Sequence, residues 1–312
     1  MTDRCKDTID WVDLVPDVDP RERTFGALPD AIDFNIIKEA AYRNGQEVAG
    51  QHWIVRTDTD KVLHTAVGDS FTTVSHADRF RGMQDVLLEN MPEHDLLDAK
   101  VTYKTARGGE WAMMDIILPN VRIDITTRKH LVSVAERFIA WSGLAGTCSN
   151  NALFGAIDFF CTNGQISGEY DTIRKRNSAS FTLDGLLGEV RDSKDGFINH
   201  TKRLQQWADT PITYHQAFQV IEAVIPSERG QKAMMVLFDN EVYTRGANAY
   251  ALYSAFTNYS SHEAAGAVRN TGKDTRAVSM WKRECDVVSW THSDEFRNLL
   301  DEDATVALVV LP

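Results

Sequence analysis

Three consecutive bases, Arg174, Lys175 and Arg176 in Ile173-Arg-Lys-Arg-Asn177, are the residues of this chain best suited to binding chemistry. In an extended strand Arg174 and Arg176 point to one face and Lys175 to the other. Clustered cations bind phosphates by releasing condensed counterions. Arg128-Lys129 and Lys202-Arg203 are further paired bases for the same surface. Single-stranded nucleic acid also needs flat side chains on which bases stack, and Trp53, Tyr103 and Tyr170 are the candidates. Asn163-Gly164 ends an apolar run and is expected to form the corner that aims the basic strand. The competing reading makes the bases solvated strand edges and the aromatics core.

Covalent chemistry finds little to work with. The nine histidines form no local His-x-His or His-x-x-x-His pair, so a metal site would have to assemble from distant residues. No Gly-x-x-x-x-Gly-Lys-Ser/Thr or Gly-x-Gly-x-x-Gly run is present to cradle phosphates. Trp141-Ser-Gly-Leu-Ala-Gly146 lacks the first glycine of a nucleophile elbow. Asp58 and Asp60 read as turn chemistry. The four cysteines are scattered and read as reduced thiols. The expectation is a protein that is not an enzyme and takes no cofactor.

Charge is unevenly spread. The net −12 is concentrated at the ends: residues 1–30 carry −4 and residues 284–312 carry −6, whereas residues 100–210 carry +2. An acidic whole therefore leaves room for a local basic face. No apolar run approaches the roughly 18 residues of a membrane span. The polar start Met1-Thr-Asp-Arg is not a secretory signal. A cytoplasmic location without membrane contact is the expectation.

The elements that must position these residues follow from patterning. Residues 1–29, with Pro16, Pro20 and Pro29 among acids, read as a flexible acidic arm. Asp30 is placed to cap a helix with Ile32, Ile36, Ile37, Ala40 and Ala41 on one face and Gly45 as its stop. His52–Arg56 and Val62–Val67 read as a hairpin, then His76–Asn90 as a helix. Val101–Ala106 and Trp111–Leu118 read as a second hairpin, joined by Arg107-Gly-Gly-Glu110. Strands are expected at Val121–Thr126, Leu131–Trp141 and Leu153–Cys161. Helices are expected near Leu183–Val190, Phe197–Ala208, Tyr214–Val224, Lys232–Tyr243, Asn248–Ser260 and Ser279–Trp290, with Thr213 and Ser293 as caps. The fold class is α+β. An N-terminal helix precedes an antiparallel β-rich body over residues 30–181, and a mainly helical region over 182–312 packs on that core.

Three ordered pieces carry a resemblance to a family. They are His52-Trp-Ile-Val-Arg-Thr-Asp58 with Val67-Gly-Asp-Ser-Phe-Thr-Thr-Val74, then Phe159-Phe-Cys-Thr-Asn-Gly164 with Ile173–Asn177, then Ala251-Leu-Tyr-Ser-Ala-Phe-Thr-Asn-Tyr-Ser-Ser-His262. The chain resembles phage/plasmid-like proteins of the domain of unknown function 932. It departs from that pattern at Phe159, where a basic residue is common, and at Ser254, where Asn is common. The resemblance implies a mobile genetic element and no defined activity. The expected element order is also similar to the core of single-strand annealing proteins, the RecT, Redβ and Erf group. That similarity implies oligomers that pair complementary strands without ATP.

The reading that results is a phage-type single-stranded DNA-binding and strand-annealing protein that assists recombination or replication as a homo-oligomer. Phage or host replication proteins are possible partners. The alternative is an acidic phage module that captures a host factor. A third, a metal-dependent nuclease, would need distant carboxylates and histidines to meet.

Overall fold

The computed structural model describes residues 12–14, 25–63, 66–127, 131–144, 146, 150–158, 164–166, 173–175, 177–178, 180, 182–192, 196–260 and 286–300. Helices and antiparallel sheets are both present, so the fold is α+β. The chain forms two compact units from interleaved segments. Unit 1 takes residues 1–121, 136–154 and 171–194; unit 2 takes 122–135, 155–170 and 195–312.

The larger sheet contains β1 (Val12–Leu14), β5 (Lys100–Ala106), β6 (Trp111–Thr126), β7 (Leu131–Gly143), β8 (Asn150–Asp158) and β10 (Ile173–Lys175) in the order β1-β5-β6-β7-β8-β10. β9 (Gly164–Ile166) also pairs with β8. The smaller sheet is β2 (Ile36–Arg43), β3 (Gln46–Arg56) and β4 (Val67–Gly68). In unit 1, α1 (His76–Asn90) covers one face of the larger sheet, α2 (Glu93–Leu96) follows, and α3 (Leu183–Asp192) packs on α1.

Strand alternation builds the unit 1 core. Val101 and Tyr103 of β5, and Ala112, Met114, Ile116 and Leu118 of β6, are every second residue and all buried. Phe80, Met83, Val86 and Leu87 of α1 recur at helical spacing and fill the other side of this core. α3 approaches α1 at Gly82, where a Cβ would stand 2.9 Å from Leu187 Cδ1. The β5–β6 connection is the expected glycine hairpin, with φ of 65° at Gly108 and 92° at Gly109.

Two expectations at the N-terminal end are corrected. Residues 36–43 form a strand, not a helix. Asn44 and Gly45, with φ of 52° and 76°, make the two-residue turn joining Arg43 to Gln46. An Asn-Gly pair in this conformation matches the right-handed twist of its flanking strands. Cross-strand pairing outcompetes the helical spacing, so Ile37 is exposed while Ala41 is buried. The arm expected over residues 1–29 is built in at several points. Val12–Leu14 pair antiparallel with Tyr103–Thr105, and Phe25 and Leu28 belong to the core.

Unit 2 is mainly helical. Among the described residues its helices are α4 (Gly196–Asp209), α5 (Tyr214–Val224), α6 (Glu228–Arg245), α7 (Ala249–Asn258) and α8 (Asp294–Asn298), with residues 286–291 also helical. Thr213 caps α5 through a full capping box with Gln216, and Ser293 caps α8. α7 is buried from Ala249 to Thr257. Its Tyr253 meets Trp207 of α4 at 4.9 Å, and Trp207 meets Phe296 at 5.2 Å, both edge to face. The tyrosines of this helix therefore serve packing. No helix among the described residues is long and apolar enough to cross a membrane.

Candidate nucleic-acid interface

Several connections of unit 1 meet at one end of the larger sheet. β5 turns into β6 there, β7 ends and β8 begins, as the bond from Leu144 N to Glu110 O (3.0 Å) and the Gly143 N–Asn150 Oδ1 bond (3.2 Å) record. β10 reaches the same end, because Lys175 pairs with Asn150, the first residue of β8.

A buried polar network ties these ends together. Ser75 caps α1 by accepting from Asp78 N, which sets His76 and Arg79 one turn apart on the helix. Both are fully buried. His76 Nε2 lies 2.9 Å from the Gly109 carbonyl, which only accepts, so Nε2 carries the proton. Nδ1 then accepts from the Ser142 hydroxyl at 2.7 Å. Ser142 Oγ accepts from Arg79 Nη1 at 2.6 Å, and Arg79 Nη2 donates to Asn177 Oδ1 at 3.0 Å. Asn150 Nδ2 also donates to Asn177 Oδ1, at 2.5 Å, while Asn177 Nδ2 donates to the Gly143 carbonyl at 2.8 Å. Outside this network, Thr72 donates from its backbone N to Asn177 O (3.4 Å) and from Oγ1 to Ser178 O (2.8 Å).

Ser142 and His76 have the contact of a nucleophile and its base, but not the environment. Both are sealed from solvent. Burial, and then the Arg79 cation, hold the His76 imidazole at a pKa of about 3, far below what a general base needs near neutral pH. The pair holds structure. Among the described residues no three His, Cys, Asp or Glu side chains gather as metal ligands.

The structure brings together only part of the expected site. Arg174 and Lys175 lie on β10, opposite Asn151 and Asn150. Gly164 opens β9 opposite Ile157. Trp53 sits half-buried on β3, opposite Glu39. Lys202 is exposed and Arg203 half-buried on α4, in unit 2. Tyr103 is corrected: its ring is fully buried beneath α1 and its hydroxyl accepts from Gln84 Nε2 at 2.6 Å, so it offers no stacking face. Arg128, Lys129, Asn163, Tyr170 and Arg176 lie outside the described residues. Sequence reasoning missed His76, Arg79, Ser142 and Asn150. The only local signal was Asn177, which closes the basic run.

Residues 63–284 match the family described as domain of unknown function 932, and the chain belongs to that family. Neither the curated proteins nor the solved structures yield a match.

Proposed function

We propose that this protein binds single-stranded DNA along β10 and acts in recombination or replication, pairing strands without covalent chemistry. One observation carries the reading. Arg174 and Lys175 lie on β10, the last strand in the order of the larger sheet, and Asn177, two residues on, is bonded into the core through Arg79, Asn150 and Gly143. A cationic segment held by buried hydrogen bonds loses little freedom on binding a phosphate chain. Trp53 is the remaining described candidate for base stacking. Homo-oligomerisation and an origin in a mobile element belong to the same proposal.

Fluorescence anisotropy with single- and double-stranded oligonucleotides in a salt series tests it. The single strand is expected to bind more tightly and without sequence preference. The Arg174→Ala/Arg176→Ala variant is expected to weaken binding and to flatten the logarithmic salt dependence by about 1.4, at about 0.7 per phosphate contact on a single strand. Equal affinity of the variant and the wild type would remove β10 from the account.

A further inference from the structure

The end of the sheet that receives β10 carries a second group of cations. Arg107, Gly108 and Gly109 form a left-handed turn with φ of 53°, 65° and 92°. Arg56 holds this turn from above. Its guanidinium lies 3.7 Å from the centre of the Phe34 ring, binds Asp58 through Nε (3.0 Å) and Nη2 (2.6 Å), and donates from Nη1 to the Gly108 carbonyl at 3.0 Å. The charge of Arg56 is therefore already matched.

Lys61 and Arg107 are placed differently. Lys61 is exposed, and its ammonium lies so close over Gly108 that a Cβ there would stand 1.9 Å from Nζ. That ammonium has no hydrogen-bond or ion-pair partner among the described residues. The Arg107 guanidinium lies 4.1 Å from the centre of the Trp111 ring and forms a long ion pair with buried Glu110, whose Oε1 stands 4.0 Å from Nη1, beyond hydrogen-bond reach. Its buried Nε has no hydrogen-bond partner among the described residues. An exposed ammonium and a partly exposed guanidinium, 26% accessible, thus flank one glycine turn.

We infer that Lys61 and Arg107 form a second phosphate-contact site, and that a single strand bound at β10 crosses this end of the sheet to reach it. The inference rests on the single-strand reading above. From β10 to β6 there are three strand steps, through β8 and β7. At about 4.8 Å per step the gap is roughly 14 Å. With phosphates about 3.4 Å apart along a B-form strand, and further apart when it is extended, at most about four nucleotides cross it. The chain Gly109–His76–Ser142–Arg79–Asn177 fixes the spacing of the two sites. Repeated phosphates at that spacing favour a nucleic-acid strand over a single small anion.

Thymidine oligomers of about two and about twelve nucleotides, titrated against the full chain in a salt series, test this. The variant is Lys61→Gln/Arg107→Gln, which keeps much of each side-chain stem. Lys100→Gln is the charge control, because exposed Lys100 lies at the opposite end of β5 from the turn. For the long oligomer the double variant is expected to flatten the logarithmic salt slope by about 1.4 relative to wild type. The short oligomer is expected to respond equally in both, and Lys100→Gln to behave as wild type. Should the double variant fail to fold, Lys61→Gln alone is expected to flatten the slope by about 0.7. If the wild type binds and the long-oligomer slope does not change, this site is overturned while the β10 reading stands. A wild type that binds neither oligomer overturns both.

Discussion

Arg79 on α1 donates from Nη2 to Asn177 Oδ1 over 3.0 Å, joining residues 98 positions apart. The bond anchors the end of the basic strand to the helix that covers the sheet. Because Asn177 accepts from two buried donors and donates to Gly143, Asn177→Ala leaves at least two buried polar groups without their partner. Each such group costs about 1–3 kcal/mol. The expected loss is about 3 kcal/mol of unfolding free energy, read as a lower urea midpoint at unchanged slope.

His76 and Glu136 make opposite demands on pH. Burial and Arg79 depress the folded pKa of His76 to about 3 from 6.5, so its contribution is present above 6.5 and lost as pH falls. Burial, and then Asp95, raise the Glu136 carboxyl to about 8 from 4.5, so its contribution is present below 4.5 and lost as pH rises. Between those two unfolded-state values each gives a slope of about 1.4 kcal/mol per pH unit with opposite sign. The two slopes cancel, and unit 1 should show a flat stability maximum there. Denaturation across a pH series should find that Glu136→Gln leaves stability rising with pH over this window, whereas His76→Gln leaves it falling. A window that stays flat in both variants would show that neither group titrates as described.

Gly109 has a φ of 92°, and a Cβ on it would meet Arg56 Nη1 at 2.6 Å and Phe34 Cζ at 3.0 Å. Gly109→Ala must both strain the backbone and displace the cation stacked on Phe34. A loss of roughly 1–3 kcal/mol is expected, measurable as a lower melting temperature. No change would mean that the turn relaxes freely.

Ser254 is 1% exposed on α7, and its hydroxyl has no hydrogen-bond partner among the described residues. Removing an unsatisfied buried hydroxyl relieves its desolvation cost, so Ser254→Ala is expected to be neutral or to stabilise by about 1 kcal/mol. Destabilisation beyond that size in calorimetry would reveal a partner for Oγ.

Much of the fold was legible because its signals are local. Thr213 and Gln216 close a capping box within four residues, and the helix they open ends where its apolar periodicity ends, at Val224. His76–Asn90 and the Gly108-Gly109 hairpin were legible for the same reason. Ile32, Ile36, Ile37, Ala40 and Ala41 misled because their spacing suits a helix. The competing local signal, Asn44-Gly45, acts only when Gln46–Arg56 is there to pair. Family membership was also legible, in short motifs spread along the chain.

The sequence by itself determined the α+β class, most helix positions and the presence of a basic run ending in Asn177. Only the tertiary structure decided what surrounds that run. A buried polar side chain must find hydrogen-bond partners wherever packing brings them. Those of Arg79 and Asn177 come from β7 and its end, from the start of β8 and from each other, with no spacing along the chain to announce them. Tyr103 follows the same logic in reverse. Its aromatic ring suited stacking on a base, but the alternation of β5 turned it under α1, because a strand facing a helix buries every second residue.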